Sequence, residues 1–226
     1  MTGDGRSGPS LGEATRAARE AMVTSQLRLR GIADERVLAV MAELPREAFV
    51  PDLRQELAYT DNALPIAAGQ TISQPYIVAR MTELLRAEEG DRILEIGTGS
   101  GYQAAVLARL GCRVVSYERQ AELAITARDR LRALGLDQSV EVRHGDGSLG
   151  DADGAPWDGI IVTAAAPVVQ NKLREQLADG ARLVVPVGSR DRQDLVVVER
   201  KGNEWREWSD GPCVFVPLVG EGGYPG

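Results

Sequence analysis

Past a polar opening, the chain settles into periodic apolar positions. Ala14, Ala17, Ala18, Ala21, Met22 and Leu29 recur near helical spacing, which predicts a helix over 13–30 with Gly31 as its left-handed terminator. Asp34 stands as an N-cap before Val37, Leu38, Val40 and Met41, and this second helix must end ahead of Pro45. Between 45 and 75 periodicity is scarce and prolines recur, as in long loops that carry function. Ile77, Met81, Leu84 and Leu85 then mark a third amphipathic helix that leads to a Gly90-Asp91 turn.

From there apolar runs alternate with helical segments. Strands are predicted at 92–96, 113–117, 140–143, 159–163, 182–187, 195–199 and 214–218, with helices at 103–110, 121–134 and 170–177. Short loops between alternating elements imply an α/β fold: a doubly wound, mostly parallel seven-stranded sheet with an N-terminal helical elaboration. The last two strands follow each other without a helix, so 202–211 reads as the connection inside an antiparallel pair. Residues 1–11, dominated by Gly, Ser and Pro, are expected to be disordered. Residues 12–226 are expected to form one domain, with helices and a loop over 12–76 and the sheet over 77–226.

Composition narrows the chemistry. A net charge of −7 with no basic stripe argues against nucleic acid as partner. No apolar run reaches membrane-spanning length, and the two cysteines, Cys112 and Cys213, have no metal-ligand spacing, so a cytoplasmic chain with reduced thiols is expected. His144 is the one histidine, which excludes two-histidine zinc sites and leaves hydrolytic triads little to build on; no metal is expected. A monomer is expected, because no coiled-coil seam appears.

The run 92–96 closes on Gly97-Thr98-Gly99-Ser100-Gly101. The dinucleotide fingerprint would require glycine at position 102, where this chain has Tyr102. Alternating glycines behind an acidic residue, Glu95, instead resemble the S-adenosylmethionine loop of class I methyltransferases, a Rossmann-like fold. In an open parallel sheet the ligand lies beyond the carboxyl ends of the strands. The second strand ends at Glu118, whose carboxylate can accept both hydroxyls of a ribose, and the third at Gly145-Asp146-Gly147, where Asp146 can take the adenine amine. A nicotinamide cofactor would also use Glu118, but it leaves Tyr102 and the Gly-Asp-Gly unexplained.

Upstream lies Gly69-Gln70-Thr71-Ile72-Ser73-Gln74-Pro75-Tyr76, and there the chain resembles the protein-L-isoaspartate O-methyltransferase family. The likeness extends to Arg46-Glu47-Ala48-Phe49-Val50-Pro51, to 58–66, to 94–105, to Ala155-Pro156-Trp157-Asp158 and to 215–220. The resemblance implies methyl transfer from S-adenosylmethionine to the free α-carboxylate of isoaspartyl residues in damaged proteins, with S-adenosylhomocysteine as product. It puts Ser73 at the active-site serine and Gln70, Thr71, Ile72 and Arg119 beside the cofactor. It also brings peptide main chain against the segment of Val214 and Val216, with Asp61 shaping the same cleft. Ser73 also reads as the N-cap of the helix that begins near Pro75. A carboxylate ionises near pH 4, at about the reference value for such groups, so no general base is needed. Two other readings stand beside this one: a carboxyl methyltransferase dedicated to one peptide, and a cofactor-binding module without turnover, which the intact Thr71-Ile72-Ser73-Gln74-Pro75 argues against.

Overall fold

The computed structural model describes residues 11–225. The segment expected to be disordered therefore lies, but for its last position, outside the described residues. α1 (Leu11–Ala21) continues through a wide π-type turn (Met22–Leu27) and a 3-10 turn, and stops at Gly31 with a φ of 93°. The alanine spacing proves a poor guide to the buried face. Ala14, Ala17, Ala18 and Ala21 are exposed, as is Leu29, while Met22, Val23 and Leu27 are buried. Alanine favours helix without requiring burial. In α2 (Glu35–Glu43) the Asp34 carboxylate caps as expected, accepting the Arg36 N–H at 2.9 Å.

The 58–75 loop contains a small antiparallel pair, β1 (Leu64–Pro65) with β2 (Thr71–Ile72), and leads into α3 (Pro75–Leu85). Ser73 does not cap this helix. Gln74 occupies the N-cap with no side-chain bond to the first turn, and Pro75 supplies the fixed φ that starts it.

The remainder builds one sheet: β3 (Arg92–Ile96), α4 (Tyr102–Arg109), β4 (Arg113–Glu118), α5 (Ala121–Ala133), β5 (Val140–His144), β6 (Trp157–Val162), α6 (Asn171–Glu175), β7 (Leu177–Gly188), β8 (Gln193–Lys201) and β9 (Glu204–Cys213). The strand order is β5-β4-β3-β6-β7-β8-β9; the first five run parallel, and β8 and β9 form an antiparallel hairpin at the edge. The seventh strand is thus the polar run 204–213, and the apolar 214–218 leaves the sheet. β9 lies mostly exposed at an edge, so it has no buried face to write apolar alternation into its sequence. The 214–218 segment instead docks on the 163–166 loop, with Ala165 N–H donating to Val216 O and Leu218 N–H to Ala165 O, both at 2.8 Å.

Alternate strand residues feed two apolar layers. Ile93, Val114, Val142, Ile161 and Val184 pack under α3, α4 and α5, in one layer continuous with Met22, Leu27, Val37 and Met41. Leu94, Ile96, Ile160, Val162, Leu183 and Val185 face the other way, against Trp157, Leu173, Val216 and Leu218. Leu94 has no exposed surface and sits on the central strand. Leu94→Ala should lower unfolding stability by ~2–5 kcal/mol in a urea titration, through lost transfer energy and a residual cavity; a loss under ~1 kcal/mol would show that the layer closes over the gap.

Candidate active site

β3 is the point where the chain order reverses: β4 and β5 lie to one side of it, β6 and β7 to the other. At the carboxyl ends of these strands a cleft of about 880 Å³ opens. Its walls are the 97–100 loop after β3, Tyr117 to Gln120 after β4, Gly145 to Gly147 after β5, Thr163 and Ala164 after β6, Gln70 to Ser73, and Val216 to Val219.

The glycine loop is fixed from outside. Gly97 N–H and Thr98 N–H both donate to the Tyr117 carbonyl, at 2.9 and 3.2 Å, and the Thr163 hydroxyl donates to the Gly97 carbonyl. A Cβ at Gly97 would sit 2.5 Å from Thr163 Oγ1, at a φ of 102°, so no other residue fits there. Gly99 differs: a Cβ there would find nothing nearer than Ile66 Cδ1 at 4.0 Å and would project into open space. Gly101 serves packing, with its α-carbon face against Ala127 and Leu131 of α5, and does not line the cleft.

Glu118 is buried at the tip of β4, where Oε2 accepts Gly99 N–H and Oε1 accepts Gln120 N–H, each at 2.8 Å. Asp146 accepts Ser148 N–H at 2.9 Å on Oδ1 and Glu221 N–H at 2.8 Å on Oδ2. Partial burial pushes this carboxyl upward, but the bonds from Ser148 and Glu221 and the nearby Arg119 outweigh it and hold it below the usual carboxylate range. Gly147 passes so close to Tyr117 that a Cβ would lie 2.6 Å from the tyrosine Cβ. Glu95 does not reach the cleft. It is fully buried beneath the loop, receives the Ser116 hydroxyl on Oε2, and leaves Oε1 without a partner. Burial, reinforced by the charge of Glu118, pushes its carboxyl up to about 8.

Ser73 is half-buried on the cleft wall beside Thr71 and Ile72. Val216 also lines the cleft. Asp61 and Val214 do not: Asp61 is paired with Arg30 Nη1 at 2.7 Å, and Val214 is 77% exposed. His144 is exposed at the end of β5 and stays out of the lining. Reading the sequence missed Tyr117, Gln120, Thr163 and the 217–219 wall. Tyr117 and Thr163 end predicted strands, so applying the strand-end rule to every strand would have found them; Gln120 lies three residues beyond one, and the wall depended on knowing that 214–218 leaves the sheet.

A sheet that reverses order at β3, with a glycine loop opening onto a cleft and a carboxylate at the neighbouring strand tip, places the chain among class I S-adenosylmethionine-dependent methyltransferases. A solved protein-L-isoaspartate O-methyltransferase superposes with a TM-score of 0.79 at 28% identity, over 92% of this chain and 67% of its own. A Plasmodium falciparum structure in complex with S-adenosyl-L-homocysteine shares the fold at a TM-score of 0.75 and 23% identity, over 89% of this chain and 98% of its own. The family model for protein-L-isoaspartate(D-aspartate) O-methyltransferase matches residues 17–223, and the chain belongs to that family. Among its relatives, the protein-L-isoaspartate O-methyltransferase of Methanoregula boonei is 55% identical over 206 residues, 91% of this chain and 94% of its own. That of Methanoculleus marisnigri is 53% identical, over 93% and 96%.

Glu95 supplies a test of the site's electrostatics. Between pH 4.5, its ordinary value, and about 8, the folded state holds a proton that the unfolded state has released, so this group's contribution to stability falls as pH rises through that window. Glu95→Gln, which mimics the neutral acid, should therefore gain thermal stability relative to the parent as pH is raised from about 5 to about 8. Parallel melting curves for the two proteins across that range would show that Glu95 does not titrate there.

Proposed function

We propose that this chain repairs damaged proteins by methylating the free α-carboxylate of L-isoaspartyl residues, with S-adenosylmethionine as donor and S-adenosylhomocysteine as product. The observation that carries this reading is that Ser73 and the glycine loop, more than twenty residues apart in sequence, face one cleft. The lining fits the cofactor: open space at Gly99 where the glycine loop faces the cleft, and Glu118 and Asp146 with lone pairs beyond their amide bonds for ribose and adenine. Gln70, Thr71, Ile72 and Arg119 would border the same ligand. When bound, S-adenosylmethionine supplies an electrophilic methyl group on a sulfonium.

The protein's own task is then positional. The substrate carboxylate is ionised at neutral pH, at a reference pKa of about 4, so the cleft has no proton to remove. Its work is to hold one carboxylate oxygen about 3–3.5 Å from the methyl carbon and to keep water out. The Ser73 hydroxyl, released from helix capping, donates to that carboxylate and fixes which lone pair faces the methyl group. Peptide main chain runs along the wall that includes Val216. The chain from residue 12 works as one monomeric methyltransferase unit in the cytoplasm, without metal or nucleic acid. Its net charge of −7 and its free Cys112 and Cys213 support this reading.

Incubation with labelled S-adenosylmethionine and matched peptides should transfer label to the isoaspartyl form and not to the aspartyl form. Equal labelling of both, or of neither, overturns the reading. Ser73→Ala should fold, bind S-adenosylhomocysteine normally and lose about 10–100-fold in kcat; full turnover would remove the serine from the chemistry. Glu118→Ala should weaken S-adenosylhomocysteine by about 10–100-fold in calorimetry, equivalent to ~1.5–3 kcal/mol for hydrogen bonds to a charged group. Unchanged affinity would place the ribose elsewhere.

A further inference from the structure

Arg46 has no exposed surface, yet among the described residues it forms no ion pair with a carboxylate. Its Nε donates to the Ala58 carbonyl at 2.7 Å and its Nη2 to the Ser73 carbonyl at 2.9 Å. The guanidinium carbon lies 4.9 Å from the centre of the Tyr102 ring, which in turn meets Phe49 edge-on at 5.2 Å. Nη1 and the Tyr102 hydroxyl are both buried without a hydrogen-bond partner. One side chain thus joins three segments: the loop at Ala58, the Ser73 segment, and Tyr102, the first residue of α4 directly after the glycine loop.

As a stabilising device this is a poor arrangement. A cation taken out of water without a counter-charge costs more than two neutral carbonyls and a ring face return. As a geometric device it is strong, because the rigid planar fork sets the direction of both carbonyls at once. With its carbonyl committed to Arg46, Ser73 has its following peptide plane fixed from inside the protein while the residue itself lines the cleft. We propose that Arg46 is a positioning residue for methyl transfer, acting through Ser73 by clamping the serine segment to the helix that carries the glycine loop. The proposal rests on the repair methyltransferase reading above.

The test compares the parent, Arg46→Lys, Ser73→Ala and the double variant. Each is measured for thermal unfolding, for S-adenosylhomocysteine affinity by calorimetry, and for kcat and KM on an isoaspartyl peptide. R46K keeps the charge but not the fork. It should fold and bind S-adenosylhomocysteine within about threefold of the parent, while kcat falls about tenfold or more, as expected for a small misplacement of reacting groups. In the Ser73→Ala background the same change should cost less than about threefold, because the hydroxyl it positions is gone while the carbonyl it holds remains. The proposal is overturned by a parent-like kcat in R46K, by a full additive loss in the double variant, or by cofactor affinity falling in step with kcat. Should R46K fail to fold, Arg46→Gln, which retains amide donors, is read by the same criteria; collapse of both assigns Arg46 to folding alone and also overturns it. Lack of isoaspartyl turnover by the parent protein would instead sink the functional reading, so the two failures are distinguishable.

Discussion

The end of β4 grips the glycine loop from outside, and within the loop a single backbone bond, Gly101 N–H to the Thr98 carbonyl at 2.8 Å, closes the turn. Gly97 and Thr98 hand their N–H groups to the Tyr117 carbonyl, and Gly99 hands its own to Glu118. This grip exists only because β3 and β4 pair in parallel with Ile96 beside Tyr117, so that both strands run out at the same height. Shift that register by one residue and the loop would meet the wrong face of β4. The apolar layers on either side of the sheet set the register, since Ile93 and Val114 must enter one layer and Leu94 the other. Core packing, ladder and cofactor loop are one chain of cause.

Three carboxylates gather at these strand ends and are held in different ways. Glu95, beneath the loop, is buried with only the Ser116 hydroxyl for company, and desolvation favours its neutral form. Asp146, near the surface, has an amide on each oxygen and is held ionised. Glu118, at the tip of β4, is buried and tied by two amides. Keeping the deepest acid neutral avoids two buried like charges under one loop. Asp146 thus gives the exposed end of the cleft an anionic rim, away from the half-buried Ser73 wall.

The core of the fold was legible because its physics is local. Parallel strands buried on both faces read as apolar runs, and Gly31, Asp34 and Pro75 mark helix ends by their own backbone chemistry. What escaped was set by context. β9 carries no apolar alternation because an edge strand has no layer to fill, while 214–218 is apolar because Phe215 enters one layer and Val216 and Leu218 the other as the segment docks on the 163–166 loop, not because it is a strand. Asp61 looked like a cleft residue, but Arg30 from the far end of the N-terminal arm claims its carboxylate. Glu95, in β3, lies beneath the loop, and Gly101, at the loop's end, packs on α5, so neither lines the cleft. Sequence spacing gives position along the chain, and depth is decided by what packs on top.

The C-terminal segment shows how much of a cleft wall can be made from backbone. Its 217–219 stretch lines the cleft without belonging to the sheet, so its own hydrogen bonds must be met elsewhere. Ala165 takes one bond pair, Asp146 and Ser148 take the amides of Glu221 and Gly222, Gln170 reaches the Gly222 carbonyl at 2.7 Å, and the Tyr224 hydroxyl closes onto the Gly188 carbonyl. Gly220 passes so near Asp146 that a Cβ there would lie 2.3 Å from a carboxylate oxygen. The carboxylate read as the adenine contact therefore also anchors the C-terminal wall of the cleft. A cleft that works by placement depends on how its walls are held to one another, and in this chain one side chain, Asp146, both lines the cleft and ties down the backbone beyond its 217–219 wall.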